Sequence, residues 1–156
     1  MTNIKGVYWD LDGTIANTEF EAHLPAFNLA FEYYGLNWQW NRSKYIDLLK
    51  INGGKNRISY YSNFKGLSLS DDLILEIHGK KQFYYLELLK NNSVKLKIGV
   101  ERLISDLLKN NVRQFIVTSS SRIQVKTLVK LLFKDFNPFE FIISSEDVKL
   151  HKPNPL

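Results

Sequence analysis

The sequence predicts an α/β chain, a parallel-sheet core into which a long helical segment is inserted. Three observations carry that prediction. Short runs rich in β-branched and aromatic residues, IKGVYWDL, VRQFIVT and FEFII, occur at residues 4–11, 112–118 and 139–143. Amphipathic helical stretches precede the second run and separate it from the third, the alternation expected of right-handed parallel βαβ packing. Residues 17–90 carry helical periodicity and irregular stretches, without a convincing strand.

In chain order, IKGVYWDL reads as a short buried strand. In NTEFEAHLPAFNLAFEYY (17–34), Phe20, Leu24, Phe27, Ala30, Phe31 and Tyr34 recur at helical spacing. Pro25 lies inside that pattern and predicts a kink or a late start, and Gly35 ends the helix. NRSKYIDLLK (41–50) forms a short helix with Asn41 as N-cap. INGGKNR then breaks the pattern, and 56–64 resumes it. Ser70, Asp71 and Asp72 open a further helix, because both carboxylates favour its positive N-terminal end. That helix runs towards residue 90 across Gly79, which weakens it by roughly 1 kcal/mol. Val100, Leu103, Ile104, Leu107 and Leu108 mark an amphipathic helix. After the second strand, SSSR opens a helix with Val125, Leu128, Val129 and Leu132 on one face. The expected division is an α/β core of residues 1–16 and 97–156, with a helical insertion over 17–96.

The 156 residues suit one domain, or one with a modest insertion. No apolar run approaches a membrane span, and Lys5 and Asp10 interrupt any signal-peptide core. The absence of cysteine excludes disulfide and thiolate chemistry and fits a cytoplasmic location. A net charge of +5, scattered rather than blocked, reads as a solvated surface, an attraction for a phosphorylated small molecule, or an affinity for nucleic acid. No RNA- or DNA-binding pattern accompanies it, so no nucleic-acid partner is expected.

The chemistry concentrates in VYWDLDGTIA, where Asp10 and Asp12 close an apolar run and Gly13 and Thr14 follow. Ligands of an open parallel sheet bind beyond the carboxyl ends of its strands. Asp10, Asp12 and Thr118 all lie at such ends. Paired carboxylates tolerate each other when a hard dication such as Mg²⁺ sits between them and a phosphate. One carboxylate can then attack phosphorus, while its neighbour protonates the leaving oxygen and later deprotonates water. Gly13 permits the sharp exit from the strand, and Thr14 bonds the turn. Taken alone, D-x-D-G-T also reads as a strand-to-turn device. Thr118 and Ser119 offer hydroxyls and helix N-terminal amides to phosphate oxygens, or form an ordinary N-cap cluster. Lys152, in the Pro-punctuated SSEDVKLHKPNP, can neutralise transition-state charge, or is a surface lysine.

At these positions the sequence resembles the haloacid dehalogenase (HAD) superfamily, with DLDGT, FIVTS and VKLHKPNP matching its first three motifs in order. The resemblance implies a Rossmann-like core with a C1-type helical cap. It implies Asp10 as nucleophile, Asp12 as acid/base and Thr118 and Lys152 as phosphate clamp. Mg²⁺ would be held by the Asp10 side chain and the Asp12 main-chain carbonyl. The segment from Asn17 to Ile58 further resembles the CbbY group, through Trp38, Trp40, Tyr45 and the G-G-K-x-R of Gly53, Gly54, Lys55 and Arg57. That group dephosphorylates xylulose-1,5-bisphosphate. The implied roles are Glu19 and His23 for sugar hydroxyls, with Tyr45, Gly54, Lys55, Arg57 and Lys81 around the distal phosphate.

On the residues alone, the tryptophans read as cap core, His23 also as a surface histidine and Lys81 also as a solvated helix lysine. The chain departs from the group's pattern in three ways. The stretch Glu19 to Phe27 is one residue longer, Gly79 stands where a basic residue is expected, and the fourth motif's acidic pair is missing. Glu146 and Asp147 precede Lys152 and do not replace that pair. The expectation is thus the N-terminal portion of a longer enzyme, binding Mg²⁺ poorly and turning over slowly on its own. The whole is expected to be a monomeric sugar-bisphosphate phosphatase. Rival readings are a β-phosphoglucomutase-like or phosphoglycolate phosphatase-like enzyme, or a non-catalytic phosphate-binding module.

Overall fold

The computed structural model describes residues 4–91, 94–150, 152 and 154. In chain order the elements are β1 (Gly6–Trp9), a π-helical turn (Glu19–His23), α1 (Leu24–Tyr33), α2 (Arg42–Leu48) and α3 (Gly54–Phe64). There follow α4 (Asp71–Asn91), α5 (Val100–Lys109), β2 (Arg113–Val117), α6 (Arg122–Phe133), β3 (Phe141–Ile143) and a 3₁₀ turn (Ser145–Asp147). They form two compact units, Met1–Thr18 with Ser93–Leu156, and Glu19–Asn92. No helix among the described residues is long and apolar enough to cross a membrane.

The first unit is a parallel sheet of order β1-β2-β3, with Trp9 paired to Ile116 and Val117 to Ile143. This is the mixed α/β architecture that the alternating runs predict. The register brings the C-terminal ends of β1 and β2 side by side, so Asp10 and Thr118 leave the sheet at one edge. Gln114 is buried because it serves two partners. Its Oε1 accepts from Trp9 Nε1 at 3.0 Å and its Nε2 donates to the Ile104 carbonyl at 3.2 Å, tying β1, β2 and α5 together. Ser121 and Gln124 close a capping box at the start of α6.

Two expectations change here. The first strand is four residues rather than eight, and it is not buried on both faces, because Tyr8 is exposed and stacks against Phe115 at 5.0 Å. On α5, Val100 and Ile104 are buried, but Leu103 and Leu108 of the expected apolar face remain exposed.

The second unit is helical. Phe27, Phe31, Trp38, Trp40, Tyr45 and Tyr61 form an aromatic core, with centroids of adjoining rings 4.7–6.1 Å apart. The two tryptophans are thus core residues. Asn28 fixes the main chain of Trp40 from both sides, donating to its carbonyl at 2.9 Å and accepting from its N–H at 2.8 Å. Asn41 caps α2 through Lys44 N–H, as expected, and Ser70 accepts from Leu73 N–H at the start of α4. The helix expected over 17–34 is interrupted. Pro25 sits in the first turn of α1, and the π-helical turn precedes it. A π turn holds one residue more than an α turn, which accommodates the lengthened Glu19–Phe27 stretch without breaking the helical path.

Gly79 lies inside α4 with open space where a Cβ would stand. Gly79→Ala is therefore expected to raise unfolding stability by about 0.5–1 kcal/mol, read as a higher denaturant midpoint with unchanged slope.

Candidate active site

In the sheet unit, Asp10 and Asp12 have different partners. Asp10 Oδ1 accepts from Lys152 Nζ at 2.5 Å, and its Oδ2 from Thr14 Oγ1 at 3.3 Å. Lys152 also donates to the Val117 carbonyl at 2.9 Å, which anchors it at the edge where β2 ends. Asp12 is instead gripped by two hydroxyls, Thr18 Oγ1 on Oδ1 and Ser120 Oγ on Oδ2, both at 2.5 Å. The intervening turn is tight. Gly13 has φ +78°, its N–H donates to the Ala16 carbonyl at 2.8 Å, and Leu11, Ile15 and Ala16 are fully buried. Lys97 locks it from outside by donating to the Gly13 carbonyl at 2.7 Å.

Thr118 is buried, and its Oγ1 accepts from Ser120 N–H at 3.1 Å; Ser119 is exposed on the bend between them. Asp10, Asp12, Thr118 and Lys152 thus gather at one sheet edge, on three chain segments. The segment carrying Lys152 follows the 3₁₀ turn, which is pinned by Asp147. Its carboxylate accepts from the Ser144 hydroxyl and N–H and pairs with Arg122. These bonds hold the Asp147 carboxyl below its ordinary range, the Ser144 hydroxyl contributing most.

This donor set fits Mg²⁺. The ion takes hard oxygens, needs one or two carboxylates and keeps water and phosphate ligands. The Asp10 carboxylate and the Asp12 main-chain carbonyl are such oxygens, while the Asp12 side chain is directed to its hydroxyls. No cluster of three or more His, Cys, Asp or Glu side chains suited to a metal occurs among the described residues.

In the helical unit, Tyr45 is fully buried and donates to Glu19 Oε2 at 2.7 Å. His23 and Lys81 are not surface groups. Lys81 is 4% and His23 8% exposed, and Lys81 Nζ lies 2.6 Å from His23 Nδ1. The His23 ring stacks on Tyr85 at 4.2 Å, and the Lys81 ammonium lies over Phe27 and Tyr85. Arg57 Nε donates to the carbonyls of Leu48 and Ile51, which closes the end of α2 and fixes the guanidinium. Gly53 is the N-cap of α3 with φ +84°, Gly54 begins that helix, and Lys55 is exposed on its first turn.

Three functional candidates escape a reading of the sequence. Thr18 and Ser120 orient Asp12, and their signal is a hydroxyl shortly after DLDGT and another just after FIVTS. His78 is the third. Its ring lies against Gly54, and burial, then the charges of Lys81, Lys55, His23 and Arg57, push its imidazole down to about 4.

The model of the family described as haloacid dehalogenase-like hydrolase matches residues 7–156. Protein CbbY of Rhodobacter capsulatus is 34% identical over 154 residues, covering 97% of this chain and 67% of that protein. A crystal structure of CbbY from Rhodobacter sphaeroides in complex with xylulose-(1,5)bisphosphate superposes with a TM-score of 0.86 at 30% identity, over 98% of this chain and 68% of that one. A predicted phosphoglycolate phosphatase from Haemophilus somnus shares the fold at a TM-score of 0.82 and 20% identity, with 99% of this chain and 68% of that one covered. The chain spans about two thirds of the length of the first curated relatives it matches, and 50% of a CBBY-like protein from Arabidopsis thaliana.

Titration of His78 gives the helical unit an acid sensitivity of definite sign. The folded imidazole titrates at about 4 and the unfolded one near 6.5, so the unfolded chain binds the extra proton between those values. The associated stability is complete above pH 6.5 and is lost progressively as pH falls towards 4, by roughly 3 kcal/mol at most. Denaturant unfolding at a series of pH values is expected to show this decline, and His78→Gln to remove it.

Proposed function

The chain belongs to the haloacid dehalogenase-like hydrolase family, and on that premise we propose that its protein is a Mg²⁺-dependent phosphatase acting on a sugar bisphosphate. The observation that carries this reading is the unequal treatment of the two acids. Asp10 keeps a carboxylate beside a lysine at the mouth of the sheet, suited to attack on phosphorus. Asp12 is held by hydroxyls on both oxygens, suited to carry a proton in a fixed orientation.

In the proposed reaction an Asp10 oxygen attacks phosphorus and the ester P–O bond breaks, leaving an aspartyl-phosphate. The departing sugar oxygen takes the proton of Asp12. Asp12 then removes a proton from water, whose oxygen attacks the same phosphorus, and the acyl-phosphate bond breaks to return the Asp10 carboxylate and release phosphate. Lys152 and Thr118 bind and orient the phosphoryl oxygens, with Ser119 at the start of the same bend. The Asp10 carboxylate and the Asp12 main-chain carbonyl would hold Mg²⁺, which when bound would supply charge neutralisation to the phosphoryl group.

The second phosphate is assigned to the helical unit. Lys55, Arg57 and Lys81 would supply positive charge, Gly53 and Gly54 main-chain N–H groups at the start of α3 and Tyr45 its hydroxyl to that phosphate, while Glu19 and His23 would take the sugar hydroxyls. Xylulose-1,5-bisphosphate is the substrate proposed, supported by the likeness to CbbY and by the ligand in its crystal structure. We further propose a cytoplasmic monomer that acts on the free small molecule.

In the full-length protein, Asp10→Asn is expected to lower kcat for phosphate release by on the order of 10³-fold or more, and Asp12→Ala by ~10²–10⁴-fold. Across a panel of sugar phosphates, loss of the second phosphate is expected to reduce kcat/KM at least ~10-fold, or about 1.4 kcal/mol. Equal rates on mono- and bisphosphates contradict the bisphosphate reading, and full activity in the Asn variant contradicts the nucleophile.

A further inference from the structure

His78 stands among the cationic groups of the helical unit and has no part in the reaction described above. Its imidazole lies so close to the first turn of α3 that a Cβ on Gly54 would stand 2.7 Å from Nε2 and 2.8 Å from Cδ2. Glycine at position 54 is therefore what lets the ring and the helix start meet. Lys55 and Arg57 face the imidazole from α3, Lys81 from one turn further along α4, and His23 from the π-helical turn. Lys81 and His23 are themselves buried and bonded to each other.

Burial and the charges of Lys81, Lys55, His23 and Arg57 disfavour a proton on the imidazole, so in the free protein the ring is uncharged at neutral pH. A phosphate dianion at the start of α3 would reverse the balance, offering the imidazole an acceptor and cancelling the neighbouring charges.

We propose that His78 is a ligand of the substrate's second phosphate and takes up a proton from solution as that dianion binds. The proposal rests on the reading that the helical unit holds a substrate phosphate, and it names the group whose charge changes there. No covalent bond is made or broken; one proton moves from buffer to the imidazole. Discrimination between bisphosphate and monophosphate then becomes pH-dependent, strengthening as pH falls from 8 to about 6.5, a range in which the phosphate is largely dianionic.

The test is a titration of the histidine ring Cε1–H resonances in the full-length Asp10→Asn protein, with His78→Gln identifying the His78 signal. Xylulose-1,5-bisphosphate at saturation is expected to raise the His78 midpoint from about 4 to 6.5 or above. In the active protein, His78→Gln is expected to raise KM for the bisphosphate severalfold at pH 6.5, with a smaller effect at pH 8 and little change for a monophosphate. If the bisphosphate binds and the His78 midpoint stays where it is in the free protein, the proposal is overturned while the substrate reading stands. If the bisphosphate perturbs no resonance of the helical unit, both fall. The titration reads the unsubstituted histidine, so it decides the matter even where His78→Gln fails to fold.

Discussion

Two carboxylates separated by a single residue at the end of a strand repel each other, and the sheet unit is organised around keeping both in place. It does so by giving them unlike partners. Asp10 is neutralised by a lysine that the chain returns from beyond β3, and Asp12 is gripped by hydroxyls from either side. The parallel register that sets Trp9 beside Ile116 is the precondition, because it delivers the residues after β1 and β2 to the same edge. Asp10 and Thr118 reach one edge through that pairing. A slip of one residue would turn Asp10 to the opposite face of the sheet.

The helical unit meets a related difficulty with opposite sign. Several of its cations are supported on aromatic rings. Lys81 lies over Phe27 and Tyr85, Arg57 over Tyr45, and His23 against Tyr85. Ring faces lower the cost of holding charge away from water without cancelling its field. The result is a set of basic groups, Lys81 and His23 among them buried, held in place by a packed aromatic core. Arg57 illustrates the economy of the design, since one nitrogen closes α2 and the guanidinium is thereby aimed.

The legibility of this protein in its sequence follows from how local each signal is. The α/β pattern, the caps at Asn41 and Ser70 and the tight turn at Gly13 rest on neighbouring residues, and all are visible in the string. The two tryptophans read as core although Asn37, Gln39 and Asn41 flank them, and the cluster around Phe27, Phe31 and Tyr45 buries them. What escapes is set by distant partners. Ser120 is 108 residues from the carboxylate it holds, and its hydroxyl is indistinguishable by composition from those of an N-cap cluster. His23 and Lys81 read equally well as surface groups because Tyr85 and Phe27, which bury them, reach them only through folding. The additional residue before Phe27 is countable in the sequence, but only the π turn shows how the helix absorbs it. His78 carries no local mark at all, since the groups that define its environment come chiefly from α3 and the π turn.

The central claim is that the Asp10 side chain becomes covalently phosphorylated, with the lysine and the second acid fixed around it. Exposure of the full-length protein to beryllofluoride, a mimic of the phosphoryl group, tests this directly by fluorine NMR. The account predicts a bound fluoride signal that requires Mg²⁺ and disappears in Asp10→Asn. A bound signal of equal intensity in the Asn variant, or none in the native protein with Mg²⁺ present, would contradict it.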